Sequence, residues 1–255
     1  MITDEIKETM IRDLAKQGKR EDGRGLTDYR EIRVHKNYLP NAEGSAMVEI
    51  GNTKVAAGVK FDVVKPYSDR PDEGTLTVNA ELCCLAHQEF KPGPPSVDSI
   101  ELARVVDRGI RSAECVNVKE FLLEPEKALG LYIDLYVLDH CGNLIDAAAL
   151  AALAALKGAR VPRYEDGKLI RDEGTQLKLA HEVTTCSFEK IAGNLVLDAV
   201  NAEEVASMGR LTWAVCEGDF ACAAQKSGRA SFSKDELLNM LDVAFEKGAF
   251  LRSKV

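Results

Sequence analysis

Residues 131–156, LYIDLYVLDHCGNLIDAAALAALAAL, run from a β-favouring stretch through a Cys-Gly-Asn break into a long alanine-rich segment. This order reads as a strand, a tight turn and a helix, and it aims the free N–H groups of the helix start at whatever lies beyond the strand end. The same geometry cradles phosphate groups. What the chain can do therefore turns on the side chains at that turn. The apolar run from Ala147 to Leu156 is too short and too alanine-rich to reach the roughly 18 residues of a membrane span.

A chain of 255 residues with 45% apolar content has enough material for a packed core, as one large or two modest domains. Its first twenty residues, MITDEIKETMIRDLAKQGKR, carry acids in an amphipathic pattern, unlike a secretory leader, so a cytoplasmic location is expected. None of the seven cysteines forms a CxxC pair, which points to reduced and mostly buried thiols. His87 lies near Cys83 and Cys84, and His140 abuts Cys141, but neither has a second half-site; both histidines read as packing residues, and no metal or cofactor is expected. A net charge of −8 opposes coating of nucleic acid by bulk electrostatics and leaves room only for a local basic patch.

The pattern along the chain predicts an α+β protein of two tandem units, each a mixed sheet carrying helices on one face. An N-terminal helix, with Ile6, Met10, Ile11 and Leu14 on one side and Gly18 as its stop, and a charged lead-in loop occupy 1–28. The first domain, 29–160, shows a hairpin around Gly51-Asn52, a strand over GTLTVNAEL, a half-buried helix bearing Ile100, Leu102, Val106 and Ile110, and the strand-turn-helix above. A polar linker, 161–182, contains Pro162, the Asp166-Gly167 turn signal and Gly174. The second domain, 183–255, has strands about a Gly193-Asn194 turn and ends in a helix opened by a Ser233…Glu236 capping box.

Three segments, REDGRGLTDYREI, GSAMVEIGNTKVAAGVK and LYVLDHCGNLIDAAALAALAAL, resemble the RNase PH family of phosphorolytic exoribonucleases. With PGPPSVDSIELARVVDRGIR and AAQKSGRASFSKDEL the chain resembles, more closely, the non-catalytic RNase PH-like subunits of archaeal exosome rings. The resemblance runs from about residue 20 to the end. It implies two packed domains of a ribosomal-protein-S5-like type.

Phosphorolysis requires a pocket for inorganic phosphate, cations along the RNA backbone and a group that assists departure of the 3′ oxygen. In active members the turn resembles Gly-Gly-Thr-Arg; here Gly142, Asn143, Leu144 and Ile145 take those positions, and Asp146 adds a carboxylate in the first helical turn, where it is expected to repel an anion. Arg210 stands where the resemblance places the catalytic acid, and an arginine neither donates a proton at ordinary pH nor holds a divalent metal. Glu203 and Glu204 read as solvated surface residues. Val97, Asp98 and Ser99 replace an Arg-Arg-Ser triplet. No catalytic residue is assigned.

Arg104, Arg108 and Arg111, at i, i+4 and i+7, form a band on one helix side. On residue types alone the band reads as surface ion pairs with Glu101 and Asp107. The resemblance implies instead that these arginines reach across an interface to RNA at a partner's active site, Arg104 and Arg108 above all. Aromatic residues, 6% of the chain, lie mostly in segments where packing explains them.

The resemblance thus implies a non-catalytic component of a 3′-to-5′ phosphorolytic RNA-degrading complex: three heterodimers with a homologous catalytic subunit, RNA-binding cap subunits, and single-stranded RNA threaded through the ring. Large apolar interfaces would make the isolated chain sticky. Two alternatives remain. A self-sufficient homohexameric phosphorolytic RNase would release nucleoside diphosphates alone. A stand-alone RNA-binding module would bind RNA alone with a steep salt dependence.

Overall fold

A computed structural model describes residues 2–255. It opens on α1 (Ile2–Lys16), stopped where Gly18, with φ of 68°, turns the chain out of the helix. Ile11 and Ala15 pack against Ile191, Val196 and Ala206 of the second domain. The expected apolar face is corrected here: Ile6 and Met10 are 64% and 42% exposed, because a helix advances about 100° per residue and these two lie across the axis from Ile11 and Ala15.

The first domain contains β1 (Ile32–Lys36), β2 (Gly44–Ile50), β3 (Thr53–Val64) and β4 (Thr75–Leu82). There follow α2 (Val97–Ser112), β5 (Leu122–Glu124), β6 (Lys127–Asp139) and α3 (Leu144–Gly158). The strands order as β1-β2-β3-β6-β4, with β5 paired to β6; only β4 runs parallel to its neighbour. The Gly51-Asn52 hairpin sets Ile50 opposite Thr53. From there Phe61, Leu131, Ile133 and Leu135 alternate onto the buried face.

The polar interval is mostly folded: β7 (Arg160–Glu165) and β8 (Lys168–Gln176) form a hairpin about Asp166 and Gly167, both at positive φ. The second domain holds β9 (Thr184–Ile191), β10 (Asn194–Leu197), α4 (Asn201–Ala206), β11 (Gly209–Cys216), β12 (Phe220–Gly228) and α5 (Lys234–Arg252). Its sheet, β10-β9-β11-β12, is antiparallel throughout. α5 starts with the Ser233–Glu236 capping box.

Tertiary packing adds a layer arrangement. α2 lies on β4 and α3 and also touches β12; α3 lies on β2 and β3 and also touches β9; α5 covers the far side of β9 and β11. The two helices of the first domain therefore sit between the sheets. This is why α3 is alanine-rich on every side and buried from Ile145 to Leu156. Small side chains let strand and helix approach, and at Gly44 an added Cβ would stand 2.5 Å from the Ala155 carbonyl oxygen. The larger residues Leu150, Leu153 and Leu156 fill the remaining space, each stabilising the fold by roughly 1.5–3 kcal/mol through burial. Among the described residues no helix is long and apolar enough to cross a membrane. The helical spacing on α2 holds for Leu102, Val106 and Ile110, whereas Ile100 is exposed.

Candidate functional site

The turn between β6 and α3 is fixed from several directions. Gly142 has φ of 93°, and a Cβ there would lie 2.3 Å from the Ala199 carbonyl oxygen, so the position accepts only glycine. Thr53 Oγ1 donates to the Gly142 carbonyl at 2.7 Å. Arg30 donates to the carbonyls of Cys141 and Gly142 at 2.9 and 3.2 Å and forks onto both oxygens of Asp198 at 2.9 and 2.7 Å. Burial alone would raise the Asp198 carboxyl; the hydrogen bonds and charge of Arg30 outweigh it and hold the group below its ordinary range.

The helix start does not face open solvent. The Asn143 N–H donates at 2.7 Å to Oε1 of Glu204, so a carboxylate of this chain occupies the donor an anion would use. Glu204 is half-buried and engaged, and Glu203 is buried, which corrects the expectation that both are solvated. Burial raises the Glu204 carboxyl, countered by the Asn143 N–H and by the charges of Arg210 and Arg30. Glu203 takes a forked pair from Arg20, at 2.9 and 2.6 Å, and Arg20 also donates to the Leu197 and Asp198 carbonyls at 2.8 Å each. The charged lead-in loop is thereby a latch between the N-terminal segment and the second domain.

Asp146 is also corrected. It is fully buried, and its carboxylate is taken up by partners in the seam between domains. Oδ1 accepts from Thr185 Oγ1 at 2.9 Å and Ser187 Oγ at 2.8 Å. Oδ2 accepts from the Ser187 N–H at 3.0 Å, Tyr29 at 2.8 Å and Asn143 Nδ2 at 3.0 Å. It joins the domains and leaves Glu204 to block the anion position.

Arg210, on β11, lies 3.4 Å from Oε1 of Glu101. It borders a cavity of about 180 Å³ with Asp98, Glu101, His140, Leu144 and Glu204. Acids outnumber the one guanidinium among these residues, which disfavours a phosphate. His140 packs against His87 and Phe90, with ring centroids at 5.2 and 5.5 Å, and burial with the charges of His87 and Arg30 depresses it to about 4. Beyond Asp98, a groove of about 730 Å³ is lined by the further acids Glu81, Glu89 and Asp134.

Glu189, buried on β9, is pushed up to about 7 by burial, against the Ser207 hydroxyl and the Arg210 charge. A raised folded value means that folding takes up a proton; this group's contribution is full below the ordinary 4.5 and is lost as pH rises through about 7. Glu189→Gln stays neutral. Relative to wild type it should gain on the order of 2–3 kcal/mol between pH 4.5 and pH 8. Urea unfolding of both proteins across that range checks it, and a constant difference would contradict this assignment.

The three arginines of α2 lie on its solvent-exposed stripe with Val97 and Ile100. Arg104 Nη1 stands 3.5 Å from Asp107 Oδ2. Arg111 Nε donates to Asp107 Oδ1 at 2.8 Å, and its Nη2 to the Leu76 carbonyl. Arg108 Nη1 donates at 2.6 Å to Gln225 Oε1 on β12. The ion pairs read from residue types exist in part: Asp107 pairs with two of the arginines, while Glu101 pairs with Arg210. Sequence reasoning missed Gln225, Arg20, Arg30 and Ser187. The density of arginine in REDGRGLTDYR was the one available signal, and its partners lie more than a hundred residues away in the chain.

Two family models cover the chain in tandem: the 3′ exoribonuclease family, domain 1, over residues 28–162 and domain 2 over 181–247. Fold and matches define the class, and the chain belongs to the RNase PH family of 3′ exoribonucleases. It is 41% identical to the exosome complex component Rrp42 of Thermococcus onnurineus, over 98% of this chain and 96% of that protein. Identity to the Rrp42 component of Pyrococcus furiosus is 40%, over 99% and 95% of the two chains. Among solved structures, a chain of the Archaeoglobus fulgidus exosome with RNA bound to the active site matches with a TM-score of 0.94 at 37% identity, covering 100% of this chain and 99% of that one. A chain of an archaeal exosome core matches with a TM-score of 0.88 at 35% identity, over 99% and 97%.

Proposed function

We propose that this chain is a non-catalytic subunit of an exosome of the archaeal type. In this reading it alternates with a homologous catalytic subunit in a ring of three heterodimers, carries RNA-binding cap subunits, and works in the cytoplasm. RNA is degraded 3′ to 5′ at the partner's site with phosphate as the attacking group, and this chain shapes that site and adds RNA contacts. The full-length similarity to Rrp42 components and to exosome chains supports the assembly.

One observation carries the non-catalytic part: the Glu204 carboxylate sits on the Asn143 N–H at the head of α3. An incoming phosphate would have to displace a half-buried internal acid and then face Asp98 and Glu101. Arg210 adds a fixed cation where a proton donor would be needed. Of the arginines, Arg104 and Arg108 extend toward RNA, while Arg111, held by Asp107 and the Leu76 carbonyl, contributes least.

The experiment is direct. The purified chain, given single-stranded RNA and inorganic phosphate, is expected to release no nucleoside diphosphate until the homologous catalytic subunit is added. Release by the chain alone would mean a self-sufficient enzyme and end this reading.

A further inference from the structure

We infer that Gln225 is a positioning residue for RNA binding: its carboxamide oxygen orients the Arg108 guanidinium without neutralising it, which makes Arg108 the strongest phosphate contact of the α2 stripe. The inference rests on the reading above that α2 arginines meet RNA, and adds which of them dominates and what holds it.

The arginines differ in the company they keep. One buried carboxylate, Asp107, serves both Arg104 and Arg111. A phosphate approaching either meets a cation partly compensated by an acid that repels it. Arg108 instead donates to Gln225 at 2.6 Å. A guanidinium has only donors, so the atom it meets is the carbonyl oxygen of the carboxamide. A neutral acceptor occupies one N–H and leaves the charge and the other donors of the fork available for a forked phosphate contact.

The acceptor is itself held. Gln225 is half-buried on β12, paired opposite Thr212 of β11, and β12 packs against α2. It shares a small cleft with Val105, Arg108, Thr185 and Thr212. A long side chain pinned in this way has already lost part of the freedom that RNA binding would otherwise remove, so Arg108 reaches its partner pre-oriented.

The test uses the ring reconstituted from this chain and its catalytic subunit, with single-stranded RNA and phosphate, reading kcat, KM for RNA, the salt dependence of binding, and the thermal midpoint. Gln225→Glu keeps the size and the hydrogen bond but cancels the charge. It is expected to raise KM on the order of tenfold and to reduce the salt slope by about 0.7, with kcat and thermal midpoint unchanged. Gln225→Ala removes the orientation alone and is expected to raise KM a few-fold with the salt slope unchanged. Arg108→Ala should match the glutamate variant. If Arg108→Ala raises KM and both Gln225 variants leave it at the wild-type value, Gln225 has no positioning role while the arginine reading stands. If Arg108→Ala leaves KM unchanged, the arginine reading falls and this inference with it. A Gln225→Glu variant that lowers only the thermal midpoint would reduce the contact to a structural one and also overturn the proposal.

Discussion

Replacing Asp146 with alanine should lower the unfolding free energy by about 3–5 kcal/mol, because several buried neutral donors would lose the acceptor they share, at about 1–3 kcal/mol each. The carboxylate accepts five hydrogen bonds from Tyr29, Asn143, Thr185 and Ser187 while fully buried. Burial raises its pKa against those donors, so the site is costly to form and depends on every partner. Alanine would leave the Ser187 N–H without an acceptor inside the seam between domains, and the Asn143 amide with Asp198 alone, at 2.8 Å. Asp146→Asn should be milder, at about 1–2 kcal/mol. An amide nitrogen in place of Oδ1 faces only the Thr185 and Ser187 hydroxyls, which rotate to accept, while the amide oxygen still serves the Ser187 N–H. Urea unfolding followed by circular dichroism measures both. Equal losses for the two variants would show that the hydroxyl side is not adaptable.

Changing Arg104 and Arg108 together to alanine should weaken RNA binding by the reconstituted ring by on the order of 10–100-fold. That size follows from two charge-assisted contacts, discounted for solvent exposure, at about 1.4 kcal/mol per tenfold. The salt slope should fall by about 1.4, at about 0.7 per phosphate contact on a single strand. At saturating RNA the turnover should hold, because neither side chain belongs to the reacting centre proposed on the partner. Unchanged binding together with an unchanged slope would remove both residues from the RNA path. Arg111→Ala should instead cost stability, since its guanidinium bridges Asp107 and the Leu76 carbonyl across α2 and β4.

Much of the fold was readable because it is dictated by near neighbours in the chain. The Gly51-Asn52 turn sits between alternating segments and became a hairpin, whereas the hairpin expected about Gly193-Asn194 turns one residue earlier, on Ala192 and Gly193, with Asn194 paired opposite Ile191. Ser233 and Glu236 cap α5 as their spacing requires. The break at Cys141-Gly142-Asn143 yielded the strand-turn-helix, and Gly142 adopts a backbone that side chains disfavour.

The sequence by itself determined the two α+β units, the turn at the head of α3, and the absence there of the hydroxyl and guanidinium that the family's phosphate turn carries. Each is a matter of residue type or of neighbours a few positions apart. Only the tertiary structure decided that Glu204, sixty-one positions from Asn143, fills the anion position, that Asp146 joins the domains, that α1 turns Ile6 and Met10 outward, and that Arg108 meets a neutral partner while Arg104 and Arg111 share an acid. Those outcomes depend on which distant groups the packed sheets bring within hydrogen-bond reach, and a charge or an apolar side chain carries no local mark of the partner it will meet.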